Sequence, residues 1–321
     1  MIRRFYLVTL KPDVEDEAVN KVLGDFSATD LFVPGLARSS AGLDADNRTI
    51  VWEMTFVDEA LYSGPYMKHP YHAATLDNYL LADSPENVAQ ATTTVRYEAE
   101  DIPLMSEGIR RIVLISLPEG SDTSAIEASA GRGDGMATSL FSPDNVGFRY
   151  GGSRTVWSHV WEQGFADMTQ LDHYLQTPEA AATASTQGLR SLGIEADAVR
   201  TLTCPFQIKQ SQSPPDVAFE GAPVLYTITA RTALENADTY VALLETLYDP
   251  TLAESGVRLA YRRRSVDRGY GEVEVQSAWA LESIGAYDAL RMAKVMHPNW
   301  RRFITEAMPL LMGGTRRFYR A

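Results

Sequence analysis

Two histidines three residues apart are the strongest chemical signal in this sequence. His69 and His72 stand in the run 66–72 (YMKHPYH), which also contains Tyr66 and Pro70. Proline is tolerated in the first turn of a helix, and a spacing of three places two side chains near one helix face. Because histidine titrates near neutral pH, the pair could transfer protons as acid and base. Two other interpretations stay open: the histidines could cap or pack a helix start, or they could bind a metal.

A metal site would need further ligands. Zinc sites use three or four protein ligands, and Asp83 or Glu86 could join the two histidines, but nothing in the sequence fixes their positions. The single cysteine, Cys204, excludes a cysteine-rich zinc site and an internal disulfide framework. No Walker motif or GxSxG elbow occurs. We therefore predict that the protein uses neither a metal nor a redox cofactor.

The other candidate residues lie in a strand-like run and at a helix start. His159 stands between Trp157 and Trp161 at every second position, which predicts that the three side chains share one strand face. His159 is then either a core histidine or part of a site lined by indoles. His297 precedes a proline, like the first histidine of the pair.

Three similar segments position these residues. Each opens on a strand-like run, at 3–11 (RRFYLVTLK), 110–118 (RRIVLISLP) and 223–231 (PVLYTITAR). Each also closes on one, at 92–97, 198–205 and 315–319. The first two openings are separated by one third of the chain, and repetition at a fixed period indicates repeated structural units. The three predicted domains are residues 1–100, 107–209 and 221–321.

The first segment shows the order of elements most clearly. Residues 14–26 have apolar side chains at helical spacing, a short strand follows at 36–41, and 48–57 (RTIVWEMTFV) has the composition of a strand. The residues that alternate onto one face of that strand are Ile50, Trp52, Met54 and Phe56. A second helix over 59–81, interrupted at two prolines, precedes the closing strand. The predicted order is βαββαβ, that of a ferredoxin-like unit of the α+β class.

Three runs of this segment form a recognisable set, at 5–12 (FYLVTLKP), 51–56 (VWEMTF) and 66–72 (YMKHPYH). With them the segment resembles the stress-responsive dimeric α/β-barrel (Dabb) family. The resemblance implies tandem ferredoxin-like repeats whose sheets close face to face into dimeric α/β-barrels. It also implies that His72 acts as a base, assisted by Tyr66, with His69 in the same set. Polyketide-cyclase relatives carry two further histidines where Arg4 and Ile50 stand here, and Arg4 could bind an anionic oxygen.

The residues and the resemblance together predict a cofactor-independent lyase or cyclase. It would use His and Tyr for aldol or retro-aldol proton transfer on an aromatic, phenolic or polyketide-like small molecule. Aromatic side chains suit such a ligand. The predicted substrate-binding residues are Arg4, Tyr6, Trp52, Met54, Phe56, Trp157, His159 and His297. The alternative is a stress-responsive or ligand-binding protein with the same pocket and no catalytic activity.

Composition and charge limit the expected partners. The chain has 321 residues, of which 45% are hydrophobic, and its formal net charge is −13. A surface this negative repels phosphate backbones and anionic membranes, so nucleic acid and membranes are not expected partners. No apolar run approaches the roughly 20 residues that a membrane-spanning helix needs, and a cytoplasmic location is predicted. Because three sheets leave one unpaired, we expect a homodimer in which the odd units pair.

Overall fold

The structure is a computed structural model and describes residues 1–44, 48–98, 108–118, 121–130, 138–142, 157–205, 221–267 and 269–321. Within these ranges the protein is an α+β fold with three four-stranded antiparallel sheets. The α+β class and the three antiparallel sheets predicted from the sequence are confirmed. In the described ranges, every helix is too short or too polar to cross a membrane.

The first sheet is formed by the amino-terminal part of the chain. Its strands are β1 (Ile2–Leu10), β2 (Leu36–Asp44), β3 (Thr49–Phe56) and β4 (Ala89–Glu98). The helices between them are α1 (Asp16–Ser27), α2 (Thr29–Phe32), α3 (Glu59–Leu61) and α4 (Asp77–Leu80). The strand order is β2-β3-β1-β4, so the first strand lies between the third and the fourth.

The second and third sheets repeat this strand order, as β6-β7-β5-β8 and β10-β11-β9-β12. The second sheet and its helices are β5 (Ile109–Ile115), α5 (Ser124–Ala130), β6 (Thr138–Ser142), β7 (His159–Phe165), α6 (Met168–Leu175), α7 (Pro178–Thr183), α8 (Thr186–Ser191) and β8 (Val199–Pro205). The third sheet and its helices are β9 (Val224–Ala233), α9 (Ala237–Leu243), α10 (Asp249–Glu254), β10 (Arg258–Arg264), β11 (Glu272–Leu281), α11 (Ala286–Met296), α12 (Pro298–Ala307) and β12 (Leu311–Arg320).

The chain divides into two compact units. Unit 1 comprises Met1–Leu61 and Gln90–Gln212 and contains the first and second sheets. Unit 2 comprises Tyr62–Ala89 and Ser213–Ala321 and contains the third sheet. The helical segment that connects β3 to β4 therefore packs as part of unit 2.

The two sheets of unit 1 share one apolar core. Its members are Phe5, Leu7, Val51, Val95, Tyr97, Ile112, Leu114, Trp157, Val160, Leu202 and Cys204. Beside it, Arg3 lies 2.8 Å from both Glu53 Oε1 and Glu162 Oε2, and Arg110 lies 3.2 Å from Glu53 Oε2. All four side chains are buried, and two carboxylates balance two guanidinium groups. Pairing of this kind is what allows charges to remain inside a core.

The third sheet has one covered and one partly open face. Tyr226 of β9 and Trp279 of β11 lie opposite each other and pack into the helix-side core of unit 2. The alternation of the strands places Leu225 on the other face, opposite Tyr319 of β12. On that face Tyr319 is 49% exposed and Tyr261 of β10 is 37% exposed.

Candidate functional site

The predicted catalytic residues lie on the irregular helical segment at the start of unit 2. Tyr62–Tyr66 forms one π-helical turn, and His72–Leu76 forms a second one before α4. Pro65 lies inside the first turn, and the helix is interrupted at His69, just before Pro70. A proline removes a helical hydrogen bond and clashes with the preceding turn. Of the two predicted interruptions, the one at His69-Pro70 is a break in the helix, whereas at Gly64-Pro65 the helix continues as a π-helical turn. π-helical turns are rare and frequently occur at functional sites.

His69 caps the turn that follows it. Its Nδ1 accepts a hydrogen bond from the backbone N–H of Tyr71 at 3.2 Å. His297 makes the same contact with the backbone N–H of Asn299, also at 3.2 Å, at the start of α12. Capping is one of the interpretations that the sequence left open for the paired histidines. The roles of His69 in catalysis and of His297 in substrate binding stay predictions.

His72 is buried between an aromatic ring and an ion pair. Its ring meets Tyr66 edge-on, with the centroids 4.6 Å apart. Its Nδ1 lies 3.4 Å from Arg291 Nη1 and 3.8 Å from Asp77 Oδ2. Arg291 Nη1 donates to both carboxylate oxygens of Asp77, at 3.0 and 2.8 Å. Nδ1 thus faces both a hydrogen-bond donor and a carboxylate. The unprotonated nitrogen can accept from Arg291, and the protonated nitrogen lies beside the negative charge of Asp77.

A second group of buried polar side chains surrounds Asp83. Its Oδ2 accepts hydrogen bonds from Lys294 Nζ, from the Tyr248 hydroxyl at 2.7 Å and from the Tyr226 hydroxyl at 3.2 Å. Burial alone would raise the pKa of Asp83, but the adjacent Lys294 ammonium holds that pKa below its ordinary value. Burial, together with the Asp83 charge, raises the pKa of both tyrosines well above its usual range. The ionised pair is therefore Asp83 and Lys294, and the tyrosines remain protonated donors.

Arg316 of β12 borders this group. Its Nη1 donates to the Ala73 carbonyl oxygen and to Asn78 Oδ1, both at 2.8 Å. Its guanidinium carbon lies 4.6 Å from the ring centroid of Tyr287 and 5.2 Å from that of Tyr226. The Asp83 cluster is defined here as Asp83, Tyr226, Tyr248, Tyr287, Lys294 and Arg316. All six side chains are buried.

Sequence reasoning named Asp83 only as a candidate metal ligand and missed the rest of this cluster. One signal was present, because Tyr287, Leu290 and Lys294 recur at helical spacing on the buried face of α11. A lysine in such a position is unusual and indicates a buried partner. The partner is 211 residues earlier in the chain, and no local pattern could identify it.

Five predicted substrate-binding residues share one face of the first sheet: Arg4, Tyr6, Trp52, Met54 and Phe56. All five are buried. Tyr6 lies opposite Trp52, whose indole stacks on Phe26 of α1 with the centroids 4.2 Å apart. The Arg4 guanidinium carbon lies 4.6 Å from the Tyr6 ring centroid. The structure brings these five together in unit 1, whereas the predicted catalytic residues belong to unit 2.

The two tryptophans beside His159 lie in different cores. Trp157 precedes β7 and packs in the core that the two sheets of unit 1 share. Trp161, inside β7, packs in a separate cluster with Leu171 and Tyr174 of α6. The predicted common face therefore does not extend to Trp157, because regular alternation begins only where the strand begins. His159 Nδ1 lies 2.7 Å from Ser158 Oγ.

Metal-binding and thiol chemistry find little support in the described ranges. No three His, Cys, Asp or Glu side chains of those ranges are grouped so that they could hold a metal ion. Cys204 is buried, and burial raises the pKa of its thiol, which disfavours the reactive thiolate. The expectation that no cofactor is used stays a prediction from the sequence.

No family model matches the chain, and no curated protein matches it. Among solved structures, an anthrone oxidase-like protein is 12% identical with a TM-score of 0.44, covering 64% of this chain and 91% of its own. A candidate monooxygenase from Fusobacterium nucleatum is 10% identical with a TM-score of 0.44, covering 65% and 92%. One from Lactobacillus acidophilus is 9% identical with a TM-score of 0.39, covering 64% and 93%. Likenesses this low assign no function to the chain.

Proposed function

We propose that the protein is a cofactor-independent lyase or cyclase that acts on an aromatic, phenolic or polyketide-like small molecule. His72 is the general base in this proposal, Tyr66 assists it, and His69 belongs to the same set. One observation carries the proposal: the buried His72 imidazole touches Tyr66, and its Nδ1 faces both Arg291 and Asp77. A histidine that is fixed by a carboxylate-containing pair is a common arrangement for acid–base catalysis.

The proposed reaction needs proton transfer alone. In the retro-aldol direction, the base removes the proton of a β-hydroxyl group and the bond between the α and β carbons breaks. The electron pair stays on the α carbon as an enolate, and the conjugate acid of the base returns the proton to it. The aldol direction reverses these steps and closes a ring when both carbonyl groups belong to one molecule. His72 would take up and return the proton.

Aromatic side chains supply the proposed contacts to substrate. The face of the first sheet with Tyr6 and Trp52 presents flat rings beside one cation, Arg4, which suits a phenolate or enolate oxygen. Met54 and Phe56 extend the same face. The candidates outside that face are Trp157, His159 and His297.

We further propose that the chain consists of three Dabb-type ferredoxin-like repeats, over 1–100, 107–209 and 221–321. The repeated strand order supports this, and so does the apolar core that two sheets share in unit 1. In the proposal these two sheets form one α/β-barrel, and the third sheet pairs with that of a second chain. The cytoplasmic location is likewise a proposal from the sequence.

A fluorogenic aryl β-hydroxy ketone, which releases an aromatic aldehyde on retro-aldol cleavage, tests the activity directly. We expect turnover by the wild-type protein that His72→Ala removes while the circular dichroism spectrum stays unchanged. Crystals soaked with phenol and with 1,3-dihydroxybenzene would show whether ligand lies against His72. Phenolic ligands that bind without turnover of any β-hydroxy ketone would favour the non-catalytic ligand-binding alternative. Turnover that is unaffected by His72→Ala would contradict the assignment of the base.

A further inference from the structure

The helix α11 presents an apolar surface to solvent. Two of its methionines, Met292 and Met296, are 38% and 81% exposed. Ala289 and Ala293 are exposed as well. The four positions follow the helical spacing i, i+3, i+4 and i+7, so their side chains form one row along two turns of the helix. These four residues are called the α11 stripe.

The buried face of α11 has the opposite character. It includes two cations, Arg291 and Lys294, which are paired with Asp77 and Asp83. A surface helix of a globular protein normally buries its apolar side chains and exposes its charged ones. In α11 the exposed positions are the methionines and alanines of the stripe, and none of them is charged. The outer face of this helix therefore has the composition of a contact surface.

The neighbouring helix α12 shows the ordinary arrangement. Its buried residues include Trp300 and Phe303. On its exposed face Arg302 Nε lies 2.6 Å from Glu306 Oε1, one turn away. The apolar outer face is thus a property of α11 and is not shared by the next helix of unit 2.

The order of residues in the α11 stripe fits an antiparallel contact between two copies of the chain. A twofold axis between Met292 and Ala293 places Met292 opposite Ala293 of the second copy. The same axis places Met296 opposite Ala289 of the second copy. Each large side chain then meets a small one, which lets the two surfaces interdigitate. A parallel contact would instead set methionine on methionine and alanine on alanine.

Charge favours the same arrangement. The stripe itself carries no charge, so no like charges meet within it. Glu282, which precedes α11, and Arg301, which follows it, are both exposed. An antiparallel contact brings the acidic end of one helix to the basic end of the other, and it also aligns the two helix dipoles favourably.

The size of the stripe limits the strength of such a contact. At 1.5 Å per residue the stripe is about 10 Å long, whereas a stable interface usually buries about 800 Å² on each partner. The contact should therefore be weak by itself and form well above micromolar concentration. Methionine side chains are flexible and adapt to a partner surface, which suits a weak contact of this kind.

We propose that the α11 stripe is an interaction surface for the same stripe of a second copy, with the two helices antiparallel and each methionine on an alanine. The contact goes beyond the proposed chemistry of His72 and does not depend on it. It is also distinct from a pairing of third sheets. Tyr287 and Leu290 of α11 pack in the helix-side core, so the stripe and the open face lie on opposite sides of that sheet.

Disulfide cross-linking tests the register. In the proposed contact, Ala289→Cys of one copy lies opposite Met296→Cys of the other. Each of these cysteines lies about 10 Å along the helix axis from its own equivalent, and a disulfide needs Cα atoms within about 7 Å. We expect a mixture of the two variants to cross-link at least about tenfold faster than either variant alone. The native Cys204 is buried and should add little background.

Thr305→Cys provides the matched control. It lies on the exposed face of α12, outside the stripe, and its mixture with Met296→Cys should cross-link no faster than the single variants do. Equal rates for the control mixture and the stripe mixture would mean that the copies meet by random collision. Equal rates for the stripe mixture and either variant alone would exclude the antiparallel register.

An exchange of side-chain sizes tests the fit between the two stripes. Met292→Ala sets two alanines opposite each other and Ala293→Met sets two methionines opposite each other, so each should slow cross-linking of the Ala289→Cys and Met296→Cys mixture about fivefold. The double variant Met292→Ala with Ala293→Met again places large on small and should recover the original rate. A double variant as slow as the single ones would overturn the proposal of a second copy as partner.

The outcome is separable from the stability of the variants and from catalysis. All substituted positions are exposed, so the melting temperatures should stay close to that of the wild type. Cross-linking needs no turnover, and a failure here leaves the proposed chemistry of His72 untouched.

Discussion

At the scale of single residues, His72 differs from the other histidines in what surrounds its ring nitrogen. His69 and His297 both use Nδ1 to accept from a backbone N–H two residues later. Nδ1 of His72 instead faces the side chains of Arg291 and Asp77. A backbone amide cannot exchange a proton usefully, whereas a carboxylate can stabilise the charge that a base acquires. His297 also has a carboxylate, that of Glu254, 3.1 Å from its Nε2, but Glu254 is exposed and solvent screens its charge. Among these three, buried His72 is therefore the residue on which the proposed proton transfer should depend.

His72→Ala should lower turnover of the aryl β-hydroxy ketone about 10²–10⁴-fold, which is the usual contribution of a general base. Tyr66→Phe should fall between that variant and the wild type, because it deletes a hydroxyl and keeps the ring that packs on His72. His159→Ala and His297→Ala lie outside the catalytic set and should cost far less activity. Initial rates decide the order of the variants, and they are compared only among variants whose melting temperatures match that of the wild type. Full activity of His72→Ala together with loss in His297→Ala would place the site in the third segment.

Asp83 should make the protein sensitive to acid. Its folded-state pKa is lowered, mainly by Lys294 acting against burial, whereas an unfolded aspartate titrates near 3.9. The stability that this shift contributes is present above about pH 4 and is lost as the pH falls through the lower, folded-state pKa. Asp83→Asn should therefore reduce the loss of unfolding free energy between pH 6 and pH 3. Denaturant titrations at both pH values measure the change.

The same substitution leaves Lys294 buried without a counter-ion. Removing one partner of a buried pair costs about 3–5 kcal/mol, whereas replacing both by apolar groups is often close to neutral. The double variant Asp83→Leu with Lys294→Met should thus be more stable at pH 7 than Asp83→Asn alone. An Asp83→Asn protein as stable as the wild type would show that the pair is not what stabilises this core.

The residue scale also shows where sequence reasoning stops. The spacing of His69, Pro70 and His72 was enough to locate a helix start, since capping and proline geometry are local. The buried partners of Asp83 could not be predicted in the same way, because they lie far away in the sequence. Asp83 meets Lys294 and Arg316 only because unit 2 combines residues 62–89 with the last third of the chain. Neither stretch has a local sequence pattern that identifies the other as its packing partner.

At the scale of elements, local patterns predicted most of what the structure shows. Alternation in 48–57 predicted β3, whose side chains are buried on both faces, and apolar spacing in 14–26 predicted α1 within two residues of its bounds. One exception is Trp157, where the alternating pattern extended beyond the true start of β7. Spacing gives the face of a residue only inside a regular element, so a pattern alone cannot say where the element begins.

The histidine caps, each of which is followed by a proline, lead to a prediction about helix stability. His297 accepts from the Asn299 backbone N–H at the start of α12, and the same ring contacts Thr251 Oγ1 and Glu254 Oε2, each at 3.1 Å. Losing such a cap typically costs about 1 kcal/mol. His297→Ala should lower the free energy of unfolding by about this amount, and His297→Asn should recover most of it because its side-chain oxygen can cap. Equal stability of the Ala and Asn variants in denaturant titrations would show that the cap contributes nothing.

At the scale of the whole molecule, the three sheets differ in how their non-helical faces are occupied. Glu53 lies opposite Phe5 in the first sheet, and Glu162 lies opposite Ile112 in the second. These carboxylates meet Arg3 and Arg110 inside unit 1. In the third sheet Ala280 lies opposite Leu225, and a proline stands two residues before Leu225. The third sheet therefore has no counterpart of the buried charges that pair the other two.

The exposed face of the third sheet favours pairing with the same face of a second chain. Ala280 and Tyr319 both lie on strands beside Leu225 and are exposed, which leaves apolar surface open on a face that is covered in the other two sheets. At the position that Glu53 and Glu162 occupy in the other two sheets, this face has Ala280 and no carboxylate. We expect sedimentation to show a dimer at micromolar concentration. Ala280→Glu should shift it to a monomer, because two carboxylates would then meet in the closed contact.

Gln187→Glu, which adds the same charge at an exposed position of unit 1, should leave the dimer intact. A wild-type protein that sediments as a monomer, or an Ala280→Glu variant that still dimerises, would mean that this face is not where copies of the chain meet.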